Sequence, residues 1–303
     1  MGRLFGRQRR SLALFLVPGL AYVALWRLFP ALYTLYLSFT SYNLAFDAAP
    51  SWAGLENYLH LWNDTKLHAS LIVTVQFAIL ATAVELGLGL ATALLLDRQF
   101  AGRHLVLGVA LMPMVLAPVT VATIWYVLFH RFVGPIPYLY RLAHGPELTW
   151  LSNKWAALGS VIVADVWQWT PLMTLLLLAA LQGVSRETVE AAMVDGASGW
   201  QVFRFVTWPQ IVGMTAVAVG LRFMDAFQEL DKILVMTGGG PGTSTELVAV
   251  HILRTAFQFF TLGYAATIVV GLLAVVGVLY SLYLRRLFGS RSLLGLSAGP
   301  VGG

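Results

Sequence analysis

SRETVEAAMVDGASGWQVFRFVTWP, residues 185–209, is the longest polar interruption between the apolar spans of this chain that also carries dense local structure signals. Ser185 stands where a helix N-cap belongs, Glu187 falls in the first turn, and Glu190 to Val194 favours helix. Asp195-Gly196 then breaks that helix, Ser198 caps a second short one through Phe205, and Pro209 closes the segment where a new apolar run begins. The stretch reads as helix, glycine turn, helix. Val189, Ala192 and Met193 share one face of the first helix and make a small apolar knob beside Glu190. By helix physics alone the knob fits a groove in a partner, or equally a helix lying on lipid headgroups.

The surroundings say where this element sits. Of 303 residues, 58% are hydrophobic and 11% charged, too apolar and too poor in charge for a soluble globular protein. The chain has no cysteine, which excludes disulfides, thiolate metal sites and cysteine nucleophiles. Its net charge of +5 comes from basic residues clustered beside apolar spans, with no basic-aromatic motif for nucleic acid.

Six apolar spans are read, at about 12–39, 69–96, 105–129, 155–181, 209–231 and 262–284. The first is too long for a signal-peptide core and is taken as uncleaved, with Pro18 and Pro30 bending or delimiting it. Residues 1–10 then form a basic N-terminus and 289–303 a tail. A short helix is expected after Gly54, and outer loops at 41–68, 130–154 and 238–245. One side receives Arg3, Arg7, Arg9, Arg10, Arg98, Arg103, Arg186, Arg204, Arg285, Arg286 and Arg291. The other receives only Lys66, Arg131, Arg141, Lys154, Lys232 and Arg254. The positive-inside rule puts both termini and residues 185–208 in the cytoplasm.

Ionisable groups inside spans are costly and count as functional candidates, with helix-to-helix pairing as the competing explanation. In the fifth span Arg222, Asp225 and Glu229 share a helical face, with Gln228 adjacent. In the fourth, Asp165, Gln168 and Trp169 share another. Arg222 and Asp225 also have the spacing to pair with each other. Glu85 in the second span lies near Gly87 and Gly89 and is read as packing. No metal-ligand cluster or nucleophile motif is present in the sequence, and the glycine-rich Gly238–Gly242 lacks the Gly-Lys-Ser/Thr of a phosphate loop.

Residues 190–209 resemble the cytoplasmic-loop signature of binding-protein-dependent ABC importer permeases: Glu-Ala-Ala, three residues, Gly, nine residues, Ile-x-Leu-Pro. Here Glu190, Ala191 and Ala192 precede Gly196 by that spacing, and Val206-Thr207-Trp208-Pro209 closes the pattern with Val for Ile and Trp for Leu. Ser38-Phe-Thr-Ser-Tyr-Asn-Leu, Gly54-Leu-Glu-Asn-Tyr, the run from Val235 to Glu246, Arg254-Thr-Ala-Phe-Gln and Gly263-Tyr-Ala-Ala are similar to the carbohydrate branch. The resemblance implies an all-α membrane protein with the six-helix type I permease fold and a cytoplasmic coupling helix between spans four and five. It also implies a heterodimer with a second permease, two copies of a cytoplasmic ABC ATPase that binds the ATP and magnesium, and an extracytoplasmic solute-binding protein. This chain itself would hold no cofactor and catalyse nothing.

Within that resemblance Glu190, Ala191, Ala192, Asp195 and Gly196 become the ATPase-coupling residues. Asp165, Gln168, Trp169, Arg222, Asp225, Gln228 and Glu229 become a candidate sugar path, since carboxylates and amides bind hydroxyls and indoles stack on pyranoses. The expected substrate is a di- or oligosaccharide. A glycerol-phosphate importer, an ion-coupled carrier using Asp165, Asp225 and Glu229, and a membrane-embedded transferase are the other readings.

Overall fold

Long apolar runs have one economical way to satisfy their backbone inside a bilayer, and this chain takes it: helices. A computed structural model describes residues 16–146 and 148–293; the arginines of residues 1–10, the start of the first span and the tail beyond residue 293 lie outside the described residues. The helices are α1 (Leu16–Leu37), α2 (Glu56–Leu61), α3 (Thr65–Asp97), α4 (Arg103–Val115), α5 (Pro118–Phe129) and α6 (Pro135–Leu142). They continue as α7 (Lys154–Gln182), α8 (Arg186–Val194), α9 (Gly199–Ala226), α10 (Asp231–Met236), α11 (Val248–Phe257) and α12 (Leu262–Leu293). Among the described residues five helices are long and apolar enough to cross a membrane, and the bent pair α4–α5 makes a sixth crossing if counted as one.

Prolines correct the expected boundaries. Pro209 was expected to start a new helix, yet α9 runs straight through it, because a π turn at Phe203–Thr207 widens the helix just upstream and Trp208 N–H donates to Phe203 O. A proline ring crowds the carbonyl four residues back, and the wider turn relieves it. The same device precedes Pro30 in α1, where Phe29 N–H donates to Ala24 O across a π turn at Ala24–Leu28. In the third span no such relief exists. Leu116 and Ala117 are extended, as the residue before Pro118 must be, and α4 and α5 meet at 95° where one straight helix was expected.

The described residues divide into two units. Residues 65–251 with 278–293 form the larger, in which α3 and α7 pack side by side, α9 lies against both, and α10 is inserted against α5. Small residues bring the helices close: Ala78, Ala81 and Ala93 of α3 and Ala157 and Ala164 of α7 are fully buried. A Cβ on Gly89 would lie 2.8 Å from Met173 Cγ, whereas one on Gly87 would meet nothing within 4 Å. Only the first glycine permits contact.

Residues 16–64 with Ile252–Gly277 form the smaller unit. Here the separated stretches around Ser38, Asn57 and Gly263 meet. Asn57 Nδ2 donates to Thr40 O (2.8 Å), Tyr58 Oη and Ser38 Oγ lie 2.7 Å apart, and Thr267 Oγ1 donates to Ser38 O (2.8 Å). Gly263 N donates to Tyr42 O (3.1 Å). The resembling motifs therefore brace one another through main-chain carbonyls. The helix expected after Gly54 is α2, and Gly54 takes a φ of +60° to begin the turn into it.

Candidate functional site

The turn between α8 and α9 is built by local rules. Ser185 Oγ accepts from Thr188 N, and α8 closes with Ala197 N–H on Ala192 O (3.0 Å) and Gly196 N–H on Met193 O (3.0 Å). That double closure needs a left-handed residue, and Gly196 supplies it at φ +84°. Two residues later Ser198 and Gln201 form a reciprocal capping box that starts α9.

The knob is not where sequence placed it. Val189 and Ala192 are half-buried, turned toward the chain, while Met193 (55% exposed) and Val194 (87%) face out with Trp200 (70%). Glu190, Ala191, Asp195 and Gly196 are exposed alongside them. α8 has no buried residue, and a Cβ on Gly196 would meet nothing within 4 Å. The element therefore projects as a surface, with apolar and acidic groups together.

The second constellation is a buried ion network in the larger unit. Arg222 of α9 contacts Glu85 of α3 through Nε (2.9 Å to Oε2) and Nη2 (3.1 Å to Oε1), contacts Asp165 of α7 through Nη2, and reaches Asp225 at 3.4 Å. Lys232 of α10 joins Asp165 (Nζ to Oδ1, 3.1 Å) to Glu229 (2.7 Å). Glu85, Asp165 and Lys232 are fully buried, and Arg222 is 4% exposed. Charges so far from water persist only when paired and multiply bonded, and here each cation serves at least two carboxylates.

This geometry changes several expectations. The helical face of Arg222, Asp225 and Glu229 is cut short because α9 ends at Ala226; Glu229 lies beyond it and bonds the Lys232 backbone N–H (3.0 Å). Lys232, read as a cation of the outer loops, lies in the interior. Glu85, read as packing, is one of the principal partners of Arg222. Gln168 is also spoken for: its Nε2 donates to Leu116 O (3.1 Å), satisfying a carbonyl freed by the α4–α5 break. Trp169 is half-buried with the Arg222 guanidinium 5.6 Å from its ring centre. Of the expected path residues, Asp225 and Gln228 remain exposed. Asp165 and Arg222 face each other, and Gln168 is buried against Leu116.

Sequence offered one usable sign of the missed pairs. A lone carboxylate in an apolar helix, as Glu85 is, demands a partner, and Arg222 was the cation inside an opposing span. Nothing comparable marked Lys232.

The glycine-rich loop consumes its own polar groups. Thr245 Oγ1 donates to Gly240 O (2.8 Å) and lies 2.8 Å from Thr237 Oγ1, while Thr245 N donates to Gly239 O (3.2 Å). Gly238, Gly239 and Gly242 all have positive φ. It is a self-bonded turn, and the N–H groups that a phosphate loop would aim at a ligand are partly used within it.

Comparison with known proteins fits this architecture. The family model described as "Binding-protein-dependent transport system inner membrane component" matches residues 85–292. A probable ABC transporter permease protein, y4oQ of Sinorhizobium fredii, is 35% identical over 88% of each chain. The trehalose/maltose transport system permease protein MalF of Thermococcus litoralis is 32% identical over 82% of this chain and 83% of its own. A solved chain of a bacterial alginate ABC transporter, crystallised with an alginate pentasaccharide-bound periplasmic protein, superposes with a TM-score of 0.78. It is 18% identical and covers 93% of this chain and 96% of its own.

Proposed function

The chain belongs to the inner membrane components of binding-protein-dependent transport systems, and from that premise we propose that it is a permease subunit importing a di- or oligosaccharide. As a member of that family it is a transport subunit, not an enzyme. The observation that carries the proposal is the α8–α9 turn, a rigidly capped element projecting from the bundle with Glu190 and Gly196 on its surface.

In this reading α8 seats in a cleft of a separate ATPase, which binds ATP and magnesium. Glu190 makes a charge-assisted contact there, Ala191 and Ala192 keep the helix narrow, and Gly196 with Asp195 lets the partner approach closely. α8 and the continuous α9 then carry movement of the ATPase into the bundle. A second, related permease completes the path, and an extracytoplasmic binding protein delivers the sugar. Both termini lie in the cytoplasm.

Trp169, Asp225 and Gln228 are the proposed sugar contacts, and Asp165, Gln168, Arg222 and Glu229 hold the wall behind them. Relatives named for trehalose, maltose and starch degradation products support a saccharide. Engagement of Arg222 by Glu85 and Asp165 argues against its serving a phosphorylated substrate.

The test is co-purification of the chain with its ATPase, second permease and binding protein, then uptake of labelled trehalose and maltose into vesicles. Uptake that requires ATP and the binding protein supports the reading. Uptake by this chain alone, driven by an ion gradient, defeats it.

A further inference from the structure

α1, in the smaller unit, carries groups that surrounding hydrocarbon would leave unsatisfied. Every residue from Leu16 to Tyr33 is exposed. Arg27 lies eleven positions after Leu16 and ten before Leu37, so about 15 Å of helix separates it from either end. That is more than an arginine stem covers by snorkelling. Among the described residues no carboxylate pairs with Arg27. Outside them the sequence holds one carboxylate side chain, Glu147, in the connection between the third and fourth spans. Tyr22, Trp26, Phe29, Tyr33 and Tyr36 recur at intervals of four and three, the spacing of a seam between helices, and all five are exposed. Their rings follow one another along α1: Tyr22 to Trp26 is 6.5 Å, Phe29 to Tyr33 6.2 Å and Tyr33 to Tyr36 6.2 Å. Belt aromatics gather at the two membrane interfaces, whereas Trp26 and Phe29 flank Arg27 near the middle of the helix.

Acyl chains solvate aromatic rings but offer a guanidinium neither opposite charge nor acceptor, so a cation at this depth needs a protein partner. A transmembrane helix bearing a carboxylate supplies that partner, and its side chains pack between the rings. We propose that α1 lies lengthwise against a transmembrane helix of the second permease, whose Asp or Glu pairs with Arg27 inside the bilayer while the aromatic row fills the seam. The inference rests on the reading of this chain as one half of a permease pair. A lipid phosphate would reach the cation only if its headgroup were drawn well into the hydrocarbon, since about 15 Å of helix lies on either side of Arg27.

The test uses the assembled complex in native membranes. Photoreactive benzoylphenylalanine in place of Trp26 or Phe29 keeps an aromatic ring on the seam, and peptide mass spectrometry after irradiation identifies its neighbour. Cross-links should fall on the second permease, within a turn or two of an Asp or Glu inside one of its spans. Arg27→Leu removes an intramembrane charge, so α1 should insert at least as readily as in the wild type. The amount of second permease recovered with that variant in detergent should nevertheless fall about fivefold. Arg27→Lys keeps the charge and should restore most of the recovery. Cross-links confined to lipid, to the same chain or to another copy of it overturn the proposal, as does undiminished recovery with Arg27→Leu. Either result beside uptake that requires ATP and the binding protein leaves the importer reading in place. Uptake by this chain alone removes that reading and this inference together.

Discussion

Arg222 and Glu85, 137 positions apart in the chain, meet as a two-point ion pair in the interior of the larger unit, at 2.9 and 3.1 Å. The pair ties α9 to α3, and Asp165 extends it to α7. Removing one partner strands a buried charge, which typically costs about 3–5 kcal/mol. Arg222→Ala and Glu85→Ala should each lower the unfolding midpoint sharply in detergent. The double variant should lose far less than the two losses summed, and additive losses would show that the pair is not coupled.

Lys232 is held by Asp165 at 3.1 Å and Glu229 at 2.7 Å with no exposure of its own. Lys232→Met leaves both carboxylates facing each other and should destabilise by about 3 kcal/mol. Adding Glu229→Gln should recover part of that loss, since Asp165 keeps its contact with Arg222. Measured stability that ignores Lys232→Met would remove Lys232 from the network.

Gly89 and Gly87 offer a matched contrast on α3. A Cβ at residue 89 meets Met173 at 2.8 and 2.9 Å and Thr174 N at 3.2 Å, so Gly89→Ala should cost about 1–3 kcal/mol as α3 and α7 are pushed apart. Gly87→Ala meets open space and should fall within about 0.5 kcal/mol of neutral. Chemical denaturation of the two variants side by side checks this.

A Cβ on Gly263 would sit 2.0 Å from the backbone oxygen of Thr40, and no rotamer change relieves a main-chain clash. Gly263→Ala should therefore cost about 3 kcal/mol or more, at the upper end of single substitutions. Limited proteolysis should show new cleavage between residues 38 and 64 if the smaller unit opens as expected.

Gly196 separates two roles. Its φ of +84° costs an L-residue about 1–2 kcal/mol, which asparagine bears better than most. Gly196→Asn should preserve the helix–turn–helix, as near-normal thermal stability would show. If close approach to the ATPase is the reason for glycine, it should still uncouple ATP hydrolysis from uptake. Normal coupling in Gly196→Asn would reduce the glycine to a backbone device.

The α8–α9 turn was legible because its signals are local. Ser185, Gly196 and Ser198 act through hydrogen bonds spanning three to five residues, and these survive translation from sequence to structure with little tertiary influence. The direction of the apolar knob was not legible, because helical periodicity groups Val189, Ala192 and Met193 without saying which edge the chain itself covers. Pro209 misled for a related reason: proline reads as a boundary, and only the π turn before it shows that the helix continues.

Hydrophobic span length and the asymmetry of basic residues were enough for the sequence alone to determine an all-helical membrane protein, because backbone satisfaction in lipid leaves few alternatives. The spaced motif from Glu190 to Pro209 was enough to point to a permease. Tertiary structure decided which charges are structural. Glu85, Asp165, Arg222 and Lys232 come from four separate helices, and their pairing depends on distances below 4 Å that one-helix periodicity does not contain. A buried charge states its need for a partner in the sequence, but the partner is chosen by the packing.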